Sequence, residues 1–509
     1  MSGAQTRESR PSSHRRRWGF RCAAVLLGLS VFPLAEILCA CFGWGVRHDA
    51  DDPFVGFSDI YPLFVQNAAG THWEIPKSRR KFFKPESFPV AKDGVRRVFC
   101  FGGSTVQGRP FATETSFTSW LEIALNCATP EQDWRVINCG GVSYASYRLV
   151  PIVEECLRYD PDVFVICTGH NEFLEERTYA HVKFAPTWLS TTQHLLSQSR
   201  VVTLVRSAIR RESSPDAQPR RDVLQAEVDA LLDYRGGIRA YQRDLEWKRG
   251  VVRHYEYNVR RMIDIARAHG VTVLLVQPPS NLSDCPPFKS SSGSDCADAD
   301  RARRDAWLVQ ARAAQRADVK QATRCFENAL EIDNQYAIVW YELGKCYEAL
   351  HDADRARQAF LQAREQDICP LRMIAPLETA LQRVARDTET PLVNAHAVLE
   401  RQVPDGILGD FLLVDHIHPS IRGHQMIAER LASVVMELVD LTPSADWRQQ
   451  AHAQWKRRFE SLDAMYFLHG KRTLEALRAW TKGRADGPPI ESRSAPESSR
   501  PPDAQTTRP

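Results

Sequence analysis

From residue 96 onward the chain alternates short apolar runs with longer stretches of helical character. Apolar runs over 98–101, 135–138, 162–167, 271–277 and 391–394 have strand length and are rich in β-branched and aromatic residues. The stretches over 116–126, 147–159, 251–269 and 377–386 predict helices between them. Strands that alternate with helices pair in parallel, with helices over both sheet faces. The pattern therefore predicts an α/β domain with a doubly wound parallel sheet, split by two insertions.

Outside that alternation the pattern changes several times. Residues 1–21 are polar and basic, and 22–43 are almost wholly apolar, about the ~20 residues needed to cross a bilayer. Pro33 and Glu36 interrupt the run, and a glutamate in lipid is costly unless it is paired or near an edge. Arg15, Arg16 and Arg17 precede the run and Asp49, Asp51 and Asp52 follow it, which predicts a cytoplasmic tail, a single-pass membrane anchor and an extracytoplasmic catalytic domain, periplasmic or cell-surface. A cleaved signal or a lipidated cysteine in the Leu38-Cys39-Ala40-Cys41 stretch is the competing reading. Residues 44–95, rich in proline and aromatics, predict a β-rich or irregular collar.

The expected core is in three parts, 96–180, 251–283 and 371–440. A helical insertion over 181–250 separates the first two, and 284–370 separates the last two. Within the second insertion Ala322, Phe326 and Ala329 recur as Ala356, Phe360 and Ala363, each 34 residues on. Trp340, Leu343, Gly344 and Tyr347 add a W-x2-L-G-x2-Y pattern, so the segment resembles tetratricopeptide repeats, which implies a protein partner. Two repeats cannot bury their own faces and should pack on neighbouring structure. Residues 441–483 read as amphipathic helix, and 484–509, poor in large apolar residues, as a disordered tail.

Composition then narrows the function. With 66 lysines and arginines against 63 acidic residues there is no basic footprint, which argues against a nucleic-acid partner. The 13 cysteines form no paired C-x2-C pattern, so no metal is expected. Cys285 and Cys296, flanking a polar loop, could form a disulfide.

Four polar stretches follow, or could follow, strands at one sheet edge. Phe101-Gly102-Gly103-Ser104 is a tight turn ending in a serine, whose plain reading is a helix N-cap. Asn138-Cys139-Gly140-Gly141-Val142-Ser143 is a small-residue loop, Gly169-His170-Asn171-Glu172 closes the third strand, and Asp415-His416-Ile417-His418-Pro419 precedes a helix. Together they could supply an acyl-transfer site. Ser104 would attack, His418 would take its proton, and Asp415 would hold the imidazole. Oxyanion donors would be the Ser104 N–H, the Asn171 amide and an N–H in the 141–143 loop. His416 and His424 receive no role, and His170 could line the pocket.

In this order the stretches resemble the four blocks of the SGNH/GDSL hydrolase family. The resemblance implies a flavodoxin-like three-layer α/β/α sandwich and an esterase, lipase or acyl-carbohydrate esterase without a cofactor. It makes Ser104, Asp415 and His418 the triad and Asn171 the oxyanion asparagine. The first block reads G-G-S rather than G-D-S. The usual oxyanion glycine aligns with Ser143, with Gly141 a rival. The expectation is a membrane-anchored serine hydrolase acting on an acyl group of a glycan, lipid or envelope molecule. An acyltransferase using the same site, or an inactive tetratricopeptide scaffold, is the alternative.

Overall fold

The computed structural model describes residues 30, 33–42, 62–175, 200–201 and 237–482. The chain separates into two compact units, residues 1–56 with 180–223, and residues 57–179 with 224–509. In the first unit residues 33–41 are helical, and the Glu36 carboxylate accepts from the backbone N–H groups of Arg200 and Val201 at 3.0 and 3.1 Å. Half of the predicted anchor lies outside the described residues. Among the described residues no helix is long and apolar enough to cross a membrane.

The second unit begins with a small antiparallel sheet, β1 (Val65–Gln66), β2 (His72–Glu74) and β3 (Ser87–Pro89), within the predicted collar. The main sheet follows: β4 (Arg96–Gly102), β5 (Trp134–Gly140), β6 (Val163–Cys167), β7 (Thr272–Gln277) and β8 (Leu392–Asn394). All pairs are parallel and the order is β5-β4-β6-β7-β8, the flavodoxin-like 2-1-3-4-5 arrangement. Burial on both faces explains why these strands read as continuous apolar runs rather than alternating ones.

Alternation along each strand sorts side chains into two layers. Val98, Cys100, Val163, Val165 and Val276 share a core with α2 (Phe117–Ala128) and α11 (Ile421–Leu438). On the other face Phe99, Phe101 and Phe164 pack edge-on and stacked, with ring centroids 4.9–6.4 Å apart. Helices α3 (Ser146–Cys156), α4 (Leu245–Ala268) and α9 (Ala375–Asp387) form a packed layer, with α4 and α9 against β7. The three-layer sandwich agrees with the sequence expectation, except that α4 starts at Leu245, capped by Asp244, six residues before the predicted start.

The second insertion forms α5 (Asp298–Ala314), α6 (Val319–Ile332), α7 (Ala337–Ala349) and α8 (Ala353–Gln366), each packed on the next. Both triplets of the 34-residue spacing are fully buried at the helix contacts. The helices dock on the sheet domain through polar anchors. Arg357 donates to the Glu400 carboxylate at 2.5 and 2.8 Å and to the Gly406 carbonyl at 2.7 Å, and the Tyr341 hydroxyl donates to the Ser283 carbonyl at 2.9 Å. Glu400 closes the short helix α10 (Ala395–Glu400) after β8. Cys285 and Cys296 are both free thiols, so the expected disulfide is absent; Cys285 is buried, and each thiol instead faces the carbonyl of the residue after it.

The C-terminal stretch breaks into α12 (Trp447–Glu460) and α13 (Ala464–Lys482). Trp455 reaches back over α2, donating its indole N–H to the Trp120 carbonyl at 3.0 Å, so α12 closes the outer face of that layer.

Candidate active site

Ser104 is the first residue of α1 (Ser104–Gln107), directly after β4, and Asn171 lies four residues beyond β6. Gly102 and Cys167 are register partners at the ends of these strands. They flank the crevice where the strand order reverses, the place where such sheets bind ligands. A Cβ on Gly103 would stand 2.4 Å from the Asn171 amide nitrogen, so only glycine lets the serine turn close onto that side chain.

Ser104 is not the cap of α1; Gly103 holds that position, and the serine is the first residue of the helix. Its hydroxyl oxygen lies 2.7 Å from His418 Nε2, and His418 Nδ1 lies 2.6 Å from Asp415 Oδ2. A carboxylate can only accept, so Nδ1 carries the ring proton and Nε2 is left to accept from the hydroxyl. The other oxygen of Asp415 accepts the N–H groups of Ile417 and His418 at 2.9 and 2.8 Å. Ser420, not Asp415, caps α11, accepting from the Gly423 N–H at 3.1 Å. The Asp415 carboxylate is thus not a helix cap; it is committed to the histidine loop. Burial alone would raise the Asp415 carboxyl, but the His418 and His416 imidazoles and the donated N–H groups outweigh it and hold it well below the ordinary range.

The loop that brings Asp415 and His418 to Ser104 is fixed from β7. Asn281 donates its side-chain amide to the Asp415 carbonyl at 3.1 Å, and its own N–H to the His416 carbonyl at 2.9 Å. His170 ties a second loop to the same place: its Nε2 donates to the Pro279 carbonyl at 2.7 Å, and its Nδ1 faces the Thr105 hydroxyl at 3.4 Å.

On the far side of Ser104 the donors can be accounted for one by one. The Asn171 amide gives one N–H to the Tyr144 carbonyl at 3.0 Å and keeps the other. In the loop after β5, the Gly141 N–H is spent on the Gly102 carbonyl at 3.0 Å, Val142 on Phe82 at 2.8 Å, and Tyr144 on Gly141 at 3.2 Å. Among the described residues the Ser143 N–H has no acceptor, nor does the N–H of Ser104. Ser143 has φ +62°, the left-handed conformation that a glycine adopts most easily. Gly103, Ser104, Tyr144, His170 and Asn171 line a small cavity on this side, and Ser143 lies outside its wall.

One acid absent from the sequence-based set joins these loops. Glu172 is fully buried and accepts from the Ser146 N–H and hydroxyl at 2.8 and 2.9 Å. It thereby pins the start of α3, and with it Tyr144, to the Asn171 loop. Its only sequence signal is an acid placed directly after Asn171 at the end of an apolar strand.

Three buried histidines surround this centre. Burial holds His170 and His424 down to about 3 and His416 to about 4, against an ordinary value near ~6.5. His424 Nδ1 accepts from the Phe117 N–H at 3.2 Å, a bond that needs the neutral ring. Because the unfolded chain takes up these protons and the folded one does not, the contribution of these three rings to stability is complete above pH ~6.5 and falls as pH drops toward 4. Each histidine should cost roughly 2 kcal/mol at pH 5. The Glu86 and Asp367 carboxyls, raised to about 7 by burial, act in the opposite sense over this range. The histidine contribution is therefore read by difference: between pH 7 and pH 5 the urea midpoint of His424→Gln should lose less than that of the native chain, and an equal change contradicts the neutral assignment of His424.

No family model and no curated protein matches the chain. Among solved structures it is similar to the acetylxylan esterase Axe2 from Geobacillus stearothermophilus, at 13% identity over 69% of this chain and 96% of that one, with a TM-score of 0.30. A G-D-S-L family protein from Desulfitobacterium hafniense DCB-2 aligns at 10% identity, over 66% and 98% of the two chains, with a TM-score of 0.29. The α/β hydrolase LAE5 from the metagenome of Lake Arreo, Spain, aligns at 12% identity, over 67% and 96%, with a TM-score of 0.30. Superpositions this loose transfer no residue role to this chain.

Proposed function

We propose that this protein is a serine ester hydrolase of the SGNH/GDSL type. The observation that carries the reading is the unbroken relay from Ser104 Oγ through His418 to Asp415, with bonds of 2.7 and 2.6 Å. His418 Nε2 takes the hydroxyl proton as Ser104 Oγ attacks the ester carbonyl. The free N–H of Asn171 and the unspent N–H groups of Ser104 and Ser143 receive the oxyanion. The imidazolium, steadied by Asp415, then protonates the leaving alcohol, and water repeats the cycle to free the acid. The N-terminal basic and apolar segments support an anchored, extracytoplasmic placement, and α5–α8 are read as a tetratricopeptide pair subordinate to the enzyme.

The test is hydrolysis of 4-nitrophenyl acetate by the full chain in detergent, with products analysed with and without an acceptor sugar. Free acetate as the product in both cases supports hydrolysis; acetylated sugar would instead make the protein a transferase. Asn171→Ala should lower kcat by ~10²–10³ with little change in KM, since its donor acts on charge that develops only in the transition state. An Asn171→Ala enzyme with unchanged kcat removes the amide from the oxyanion site.

A further inference from the structure

Arg109 stands one helical turn beyond Ser104, its main-chain N–H donating to the Ser104 carbonyl at 3.1 Å. The side chain is half-buried, yet its guanidinium makes no hydrogen bond and no ion pair among the described residues. Other buried or half-buried arginines of this chain have acceptors: Arg148 is held by Glu175, Arg304 by Asp333, Arg357 by Glu400 and Arg364 by Glu378, and Arg97 by four backbone carbonyls. The Arg109 guanidinium has no protein acceptor among the described residues, and only the nearby Asp415 charge favours its cation there.

Its position gives the charge a direction. The Arg109 cation acts on the Asp415 carboxylate and on the His416 ring, which places it on the acid–base side of Ser104. Asp415 makes no hydrogen bond to it: Oδ1 accepts the N–H groups of Ile417 and His418, and Oδ2 accepts from His418 Nδ1. The five donors of Arg109 therefore remain available to a ligand bound at Ser104. A guanidinium fork matches carboxylate and phosphate in planar, paired hydrogen bonds.

We propose that Arg109 is the anion-recognition residue of this site and that the substrates are esters carrying a carboxylate or phosphate near the scissile bond. This rests on the hydrolase reading above and narrows its substrate class. The competing role is indirect: Arg109 could act only by stabilising the Asp415 carboxylate, and would then serve neutral and anionic esters alike.

Paired substrates separate the two. For an anion on the alcohol side the pair is 4-acetoxybenzoate and phenyl acetate, with 4-acetoxyphenyl phosphate as the phosphate arm. For the acyl side it is the 4-nitrophenyl monoester of adipate against 4-nitrophenyl hexanoate. Each ratio of kcat/KM, anionic over neutral, is measured on the same preparation of the full chain, so misfolding cancels. Arg109→Gln should lower the ratio at least tenfold in one arm, and Arg109→Lys should fall between the two. Added salt should reduce the wild-type ratio but not that of Arg109→Gln. Equal losses on both members of every pair, or no loss, overturn the proposal while leaving the hydrolase reading intact. Absence of any Ser104-dependent turnover overturns the hydrolase reading and this inference with it.

Discussion

Ser104→Ala should lower kcat for 4-nitrophenyl acetate by ~10⁶ while leaving the protein folded. Removing the attacking oxygen of a serine hydrolase abolishes the covalent route and leaves only the residual catalysis of bound donors. Among the described residues the hydroxyl bonds only to His418, and alanine fits the same first position of α1, so the loss should be almost wholly chemical. Burst kinetics sharpen the readout, because the acyl-enzyme burst should vanish along with turnover. A variant that keeps more than a hundredth of wild-type kcat would mean that another group attacks.

Asp415→Asn should cost ~10⁴ in kcat with the geometry nearly unchanged. The asparagine carbonyl can still accept the N–H groups of Ile417 and His418, as Oδ1 does at 2.9 and 2.8 Å in the native chain. Its amide, however, would donate to His418 Nδ1 where a carboxylate accepts. That forces the ring proton onto Nε2, which can then no longer accept from Ser104 Oγ. The loss should therefore appear in kcat rather than in the unfolding midpoint. An Asp415→Asn enzyme within tenfold of wild type would show that tautomer control by Asp415 is not required.

The parts of this protein that were legible in the sequence are those where chemistry or packing forces a local pattern. The five parallel strands announce themselves because both faces of the sheet are buried, and the helical insertion because its contacts repeat every 34 residues. Ser104 and Asn171 stand out since polar residues just past apolar strands have few structural reasons to be there, and Asp415 and His418 by their three-residue spacing ahead of a helix. The second oxyanion donor was different. Gly141 and Ser143 look equivalent as letters, and only hydrogen-bond accounting separates them: the Gly141 N–H is consumed by Gly102, while the Ser143 N–H is left open by a left-handed backbone. Glu172, Asn281 and Arg109 were not singled out, because each matters through partners distant in the chain. Glu172 meets Ser146, and Asn281 meets Asp415 134 residues away. Half of the predicted anchor falls outside the described residues, and its signal is charge and hydropathy.

The central claim is that Ser104 is the nucleophile, and the most direct measurement is covalent capture. The folded full chain is treated with a fluorophosphonate, digested, and the adduct located by mass spectrometry. The relay through His418 and Asp415 predicts one adduct per chain, on Ser104, that disappears in Asp415→Asn at short reaction times. Labelling at another residue, or none in a folded preparation, contradicts the account.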